Sequence, residues 1–488
     1  MPASQVSGTA AADDEIAAAQ TPLLPGRTIT QPILWVVPKE HVHRVLFLAL
    51  SAAVGMAATS ATTVYAYGVI MCVDPAHCSQ GEKGAFAGSL AISTAIANVC
   101  GVVILGPLQH TIRFNPKLGL SIWLVSRASS IGVLAVAVTY RSILLAFVGR
   151  IFEGFATDNL LHFNLGAIFV SVSDHRKISR LMGTSLGLYM LGMSLSSTIA
   201  GLLPNFFSSF IMALAIFAAS LLYLGLFVPV VAATTPEHHP SQQDRRDPPS
   251  GERSMAARYT YFVFRPLLNM YSEPSTILPG LALLLCNTAQ AYIFPAIMVY
   301  TSVKFNFTGR ENGYVISVAA AVSALYLAIV SYVVPKIRAW HQKNAPSTQS
   351  PTHDTSIFGS QDARKTRAHD LSWALVCMVI QLLAVPCLML TVQGWQIFPC
   401  VVVIALGLAA PSFIKSLGIS LAKDRTAAVA SLSLMESMGG LLSPVVLGSV
   451  QSWWGEEMVF VAASCSLGIA TLTLLGSFFS KVSKFRDM

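Results

Sequence analysis

The chain alternates between long apolar blocks and short polar connections. The blocks cover 44–70, 84–107, 118–139, 143–172, 182–203 and 207–232. After a polar break come 275–301, 313–334, 371–391, 396–421, 427–450 and 457–479. Each is near or above the ~20 residues an α-helix needs to cross the hydrocarbon core of a bilayer. Backbone groups in that layer have no water to bond, so each block must satisfy its own by coiling into a helix. The pattern predicts an all-α polytopic membrane protein with about twelve transmembrane helices. The slightest interruption is that between the third and fourth blocks, at Tyr140, Arg141 and their neighbours.

The polar stretches set the organisation. Residues 1–43 are alanine-rich and polar and are expected to be a disordered tail. They lack the charged-then-apolar order of a secretory signal, so the first block is expected to act as an uncleaved insertion signal. Residues 233–274 and 337–370 mix Pro, Ser, His and both signs of charge, a composition that predicts disorder. The first of these divides a six-helix bundle at 44–232 from a second at 275–480, leaving 481–488 as a short tail.

The two bundles share a faint likeness. Gly154, Asp158 and His162 stand 253 positions before Gly407, Pro411 and Lys415. Gly192, Ser196, Ser197 and Gly201 stand 247 positions before Gly439, Ser443, Pro444 and Gly448. A duplicated six-helix unit leaves such a trace, and parallel repeats of this kind hold a substrate site between them near the midplane.

Composition agrees with a membrane protein. Residues are 54% hydrophobic and 11% charged, against about 25% charged in soluble domains. The net charge of +8 does not indicate nucleic acid, because the basic residues form no patch with interleaved aromatics. Of the 31 Lys and Arg, only Lys83, Arg141, Lys304 and Arg310 fall in connections on one side, and Arg127, Arg150 and Lys415 lie within blocks. The rest gather on the other side. The positive-inside bias therefore predicts that both termini are cytoplasmic. The plasma membrane is the default location, with a vacuolar or endosomal membrane as the alternative.

Two outside features agree with this map. Asn306-Phe307-Thr308 is a glycosylation sequon in the outside connection 302–312. Cys72 and Cys78 share the first outside connection, where a disulfide can form and persist. The other six cysteines lie within apolar blocks and read as small core residues.

No Walker A, HExxH or CxxC pattern is present, so neither ATP-driven pumping nor an enzyme is indicated, and no cofactor or metal is implied. Candidate chemistry lies in ionisable residues inside the blocks. A charge at the bilayer centre costs ~2.5–3.5 kcal/mol on insertion scales, so it usually faces a cavity or a partner. The block 143–172 carries Arg150, Glu153, Asp158 and His162, which at ~100° per residue occupy about half the helix circumference. Arg127, Lys415 and Glu436 add charges from other blocks.

The functional reading is a cavity whose carboxylates take up protons and whose cations attract a polar or anionic substrate. The structural reading pairs Arg127 with Asp158 and Arg150 with Glu153 as mutual neutralisers. The structural reading is preferred for Arg127, and the functional one for Arg150, Asp158 and Glu436, the last having no obvious local partner. Lys415, nearer the cytoplasmic side, can simply snorkel. Asn287 and Gln290 suit either substrate contact or hydrogen bonding between helices.

The run Arg150-Ile-Phe-Glu-Gly154 resembles the fourth-helix pattern of the major facilitator superfamily: Arg, two residues, Gln or Glu, then Gly. The resemblance implies a proton-coupling role for Arg150, with Glu153 beside it. The loop Leu105-Gly106-Pro107-Leu108-Gln109-His110 stands where that family has Gly-x-Leu-x-Asp followed by basic residues. Here His110 replaces the Asp, and the basic residues are reduced to Arg113 and Lys117, so an altered conformational latch is expected.

The Gly-Pro pair of drug–proton antiporters is replaced by Ser196-Ser197, while Ser443-Pro444 appears in the eleventh block. Thr21-Pro22-Leu23-Leu24, the cysteine pair and Met435-Glu436-Ser437-Met438-Gly439-Gly440 are similar to divergent fungal members. The resemblance implies a monomeric, proton-coupled secondary transporter that exports a small organic metabolite or xenobiotic by alternating access. The alternatives are proton-coupled uptake of an organic acid or small nutrient, and a non-transporting sensor built on a transporter fold.

Overall fold

The computed structural model describes residues 35–72, 80–172, 175–200, 206–232, 274–307, 309–334, 355–455 and 457–486, with a few isolated positions between. The first half comprises α1 (Val42–Met71), α2 (Gln80–Phe114), α3 (Pro116–Thr139), α4 (Ile143–Gly154), α5 (Asp158–Val172), α6 (His175–Ala200) and α7 (Phe206–Phe227). The second comprises α8 (Ile277–Phe305), α9 (Gly309–Ala328), α10 (Thr355–Cys387), α11 (Ile397–Leu406), α12 (Ala410–Leu421), α13 (Arg425–Trp454) and α14 (Met458–Arg486). A two-residue antiparallel bridge joins β1 (Trp35–Val36) to β2 (Val231–Ala232), tying the entry to α1 to the exit from α7.

Because α4–α5 and α11–α12 each make one interrupted path, the described residues form twelve helical paths in two six-path halves. Among the described residues, ten paths are long and apolar enough to cross a membrane by length and composition. The other two are α4–α5, cut by a turn, and α6, whose glycines and serines dilute its hydropathy. Leu144, Leu222, Leu226, Leu383 and Leu472 are all more than 60% exposed, which marks an apolar outer belt suited to lipid.

Several helices are longer than their apolar blocks. α2 starts at Gln80 and runs to Phe114, α6 starts at His175, and α14 reaches Arg486. α10 begins at Thr355, inside the 337–370 connection that the composition marks as disordered. Hydropathy follows only the length inside hydrocarbon, and a helix keeps coiling into water when its ends are polar. Cys78, Thr308, residues 1–34 and most of 233–274 lie outside the described residues.

Both interruptions have local causes. α4 ends at Gly154, and a Cβ there would lie 2.5 Å from the Ala97 carbonyl oxygen and 2.5 Å from Cys100 Cβ. Only glycine lets α2 approach so closely. The chain then turns through Phe155–Thr157, and Asp158 opens α5, a favourable place for an acidic residue next to the positive helix end. Trp123 Nε1 donates to the Thr157 carbonyl at 2.9 Å, which satisfies a backbone acceptor at the break.

α11 and α12 are joined by a tight 3-10 turn at Gly407–Ala409. Pro411 lies in the first turn of α12, where its missing N–H removes no helical bond. Gln381 Nε2 donates to the Ile404 carbonyl at 3.3 Å, and Gln290 Nε2 to the Gly407 carbonyl at 3.1 Å. The two breaks thus fall at the positions matched by the sequence likeness, following Gly154 in one half and beginning at Gly407 in the other.

The halves meet chiefly along α6 with α9 and α12, and along α13 with α2 and α5. Gly183 and Gly187 of α6 make the first contact possible: added Cβ atoms would lie 2.8 Å from Ser331 Oγ and 3.4 Å from Leu327 Cβ. At the same end Thr184 Oγ1 donates to Tyr332 Oη at 3.1 Å, and the Arg180 guanidinium sits 4.4 Å over the Tyr332 ring. Asp370, 1% exposed, accepts from Ser179 of the first half at 3.0 Å and Ser416 of the second at 2.6 Å. The molecule is closed at this end, where α5 finishes and α6 begins.

Candidate functional site

Between the halves lies a cavity of about 1430 Å³. Its lining runs from Phe169 and Met182, next to the closed end, to Phe86, Met298 and Ile316 toward the other. Arg127, Arg150, Glu153, Asp158 and His162 reach it from the first half, and Lys415, Glu436, Asn287 and Gln290 from the second. The structure therefore brings every ionisable residue singled out within the blocks to one cavity.

The pairing differs from the sequence expectation. Arg127 does not neutralise Asp158; its Nη1 lies 3.1 Å from Glu153 Oε1. Arg150 Nη1 holds the other oxygen of the same carboxylate at 2.6 Å. Two guanidiniums thus share one acid. The turn after Gly154 carries Asp158 onto a separate helix, so spacing along a continuous helix is no guide to its neighbour. Arg150 also donates from Nε to Tyr67 Oη at 3.2 Å and lies 5.2 Å from that ring's centre.

Asp158 instead accepts a hydrogen bond of 2.5 Å from the buried Tyr189 hydroxyl. It is exposed to the cavity, and the described residues place no cation on it. His162, one turn along α5, presents its ring to the edge of Tyr189, with centroids 5.0 Å apart. Tyr189 joins the two, and nothing near it in sequence signals this, since it lies on α6. Ser185, one turn before Tyr189, is 2% exposed, lines the cavity, and has an Oγ without a hydrogen-bond partner among the described residues.

In the second half, Lys415 Nζ is ion-paired with Glu436. The Lys415 side chain is 11% exposed, so it is buried against an acid and does not snorkel to an interface. Glu436 in turn has a partner that sequence inspection missed, because that partner arrives from another helix. Asn287 donates to the Glu436 carbonyl at 2.6 Å, and Gln290 donates to Gln381 Oε1 at 2.7 Å as well as to Gly407. Both amides border the cavity while bonding helices together.

The remaining wall is apolar and soft, with Met182, Met190, Met193, Met298, Phe86 and Phe294 among its residues. Among the described residues no cluster of His, Cys, Asp or Glu could hold a metal ion. Cys72 is disulfide-bonded, and Cys78 lies outside the described residues. Asn306 is exposed at the end of α8 in a left-handed conformation, with φ of 55°.

Two helical halves closing on a charged internal cavity are the architecture of a membrane transport protein. A family model described as the Major Facilitator Superfamily matches residues 45–345, and the chain belongs to that superfamily. Its fold is similar to the crystal structure of the human organic anion transporter MFSD10 (TETRAN), with a TM-score of 0.65 and 14% identity over 90% of this chain and 99% of that one. It is also similar to the E. coli fucose:proton symporter FucP, with a TM-score of 0.59 and 12% identity over 90% and 99%. A bacterial homologue of the iron transporter ferroportin, in an outward-facing state, gives a TM-score of 0.55 and 12% identity over 89% and 98%. No curated protein sequence matches the chain.

Proposed function

We propose that the protein is a proton-coupled secondary transporter that moves a small organic molecule by alternating access, and that it serves chiefly to export a metabolite or xenobiotic. The observation that carries this reading is the cavity between the halves, with ionisable side chains from both. Such groups are costly in a membrane interior and are retained where water and cargo pass. Without an ATP-binding motif, an ion gradient is the available energy source. The methionine-rich wall supports an amphipathic cargo, because flexible thioethers adapt to varied apolar shapes.

The protein acts as a monomer in the plasma membrane with both termini in the cytoplasm, and it carries out no enzymatic step. In that orientation the closed end is cytoplasmic and the cavity faces outward. Asn306 then lies outside as a glycosylation acceptor, and Cys72 and Cys78 pair in the first outside loop. The fucose:proton symporter among the similar structures gives a precedent for proton coupling on this fold. Uptake of an organic acid is the second reading, favoured by the balance of charges in the cavity.

The test is flux in sealed vesicles holding the purified protein, with and without an imposed pH gradient, across a panel of small metabolites. Gradient-dependent flux supports the proposal. Absence of flux from folded, correctly oriented protein would sink it in favour of a sensor.

A further inference from the structure

Among the described residues, three cations and three carboxylates line the cavity: Arg127, Arg150 and Lys415 against Glu153, Asp158 and Glu436. With His162 neutral, the lining is balanced when all six are ionised. The carboxylates are not equivalent. Glu153 is clamped by Arg127 and Arg150, and Glu436 is paired with Lys415. Removing the charge from either would strand a buried cation, which is strongly unfavourable. Asp158 is the most exposed of the three and rests on a neutral donor, the Tyr189 hydroxyl.

The groups around Asp158 are accounted for on each side. His162 shares its helix and Tyr189 packs from α6. Arg127 faces the cavity from α3, and Tyr67 of α1 is bonded to Arg150. Lys415 and Glu436 face it from α12 and α13, and α2 contributes the uncharged Thr94 and Asn98.

Protonating Asp158 leaves one excess positive charge, held by two guanidiniums that share a single acid. A transporter must close its cavity and shed water in mid-cycle, and an unbalanced charge makes that closure costly. Two forms close without one: the empty cavity with Asp158 ionised, and the cavity holding both a proton on Asp158 and one negative charge on the cargo. A proton alone, or an anion alone, leaves a net charge. An organic cation exchanging with a proton on Asp158 would leave the cavity positive in both closed forms.

We infer that Asp158 is the proton-carrying carboxylate and that the cargo is an amphipathic organic monoanion, the two crossing together without net charge movement. The proton passes from cavity water to Oδ1 of Asp158, while the Tyr189 hydroxyl goes on donating to Oδ2. The cargo's negative group faces Arg127 and Arg150, and its apolar body lies against Met190, Met193 and Phe294. Direction follows the combined proton and anion gradients, so an acid that accumulates inside leaves with its proton. This inference rests on the transport reading.

The test uses the full chain in sealed vesicles with two probes, 4-aminohippurate as an aromatic monoanion and 1-methyl-4-phenylpyridinium as a cation. With the outside one pH unit more acidic, 4-aminohippurate should accumulate toward the about ten-fold limit of one-to-one coupling, and an imposed potassium diffusion potential should not change it. Asp158→Asn should abolish accumulation and make exchange of internal for external 4-aminohippurate insensitive to pH. Should that variant fail to fold, Tyr189→Phe should move the pH at which exchange declines upward, because the hydroxyl supports the ionised carboxylate.

Normal accumulation by Asp158→Asn, dependence on the membrane potential, or movement of the cation in place of the anion would each overturn the inference while leaving transport intact. Movement of neither probe by folded protein would overturn both.

Discussion

Lys415 on α12 and Glu436 on α13 form an ion pair at the cavity wall, with only 11% and 8% of their side chains exposed. Neither residue has a partner on its own helix. The pair fastens two helices of the second half, and Asn287 of α8 joins them by donating to the Glu436 backbone. The first half has the unequal counterpart, one carboxylate between two guanidiniums. The two halves thus carry different electrostatics on the same architecture.

Breaking the Lys415–Glu436 pair from one side should be more harmful than removing it whole. Lys415→Met leaves a buried carboxylate and is expected to cost about 3–5 kcal/mol, while Lys415→Met with Glu436→Leu costs less. Thermal unfolding of the purified protein in detergent, run as a double-mutant cycle, checks this. Simple additivity of the two single changes would contradict the pairing.

Gly154→Ala tests the close approach of α4 to α2. Its new methyl group would meet the Ala97 carbonyl and Cys100 Cβ at 2.5 Å, and overpacking of this kind costs about 1–3 kcal/mol. Gly132→Ala, on α3 with nothing within 4 Å of the added atom, should gain about 0.5–1 kcal/mol from helix propensity. Opposite shifts in melting temperature are expected; equal shifts would mean that contact at Gly154 is not limiting.

The break between α11 and α12 depends on borrowed donors. Gln290→Leu removes the bonds to Gln381 and to the Gly407 carbonyl, and leaving such buried acceptors unmet costs about 1–3 kcal/mol. The melting temperature should fall. An unchanged value would show that another donor replaces Gln290 there.

Asp370→Ala should loosen the closed end, because it removes the acceptor for Ser179 and Ser416 together. Loss of 1–2 kcal/mol from the closed state raises the open population about 5–30-fold. A cysteine at Leu327, which packs against Gly187, reports this through its alkylation rate, with the exposed Cys387 and Cys465 replaced. An unaltered rate would remove Asp370 from the closure.

The sequence alone determined the class of fold and which residues are chemically unusual. The twelve apolar blocks correspond to twelve helical paths among the described residues, because burying a bare backbone in hydrocarbon leaves no alternative to the helix. The ionisable residues inside those blocks were visible for the same reason: each is costly unless a cavity or partner receives it, and all seven reached one cavity. The faint repeat was legible too, and its matched glycines, Gly154 and Gly407, mark where both paths break.

Tertiary structure alone decided the partners. Asp158 looked like the natural mate of Arg127, but the turn at Phe155–Thr157 put it on a new helix facing Tyr189, and Arg127 joined Arg150 on Glu153. Lys415 and Glu436 met only because α12 and α13 pack side by side. Hydropathy measures the cost of moving a residue out of water, a property of that residue alone. A charge's partner depends on distances of about 3 Å between helices remote in sequence, and those are set by packing.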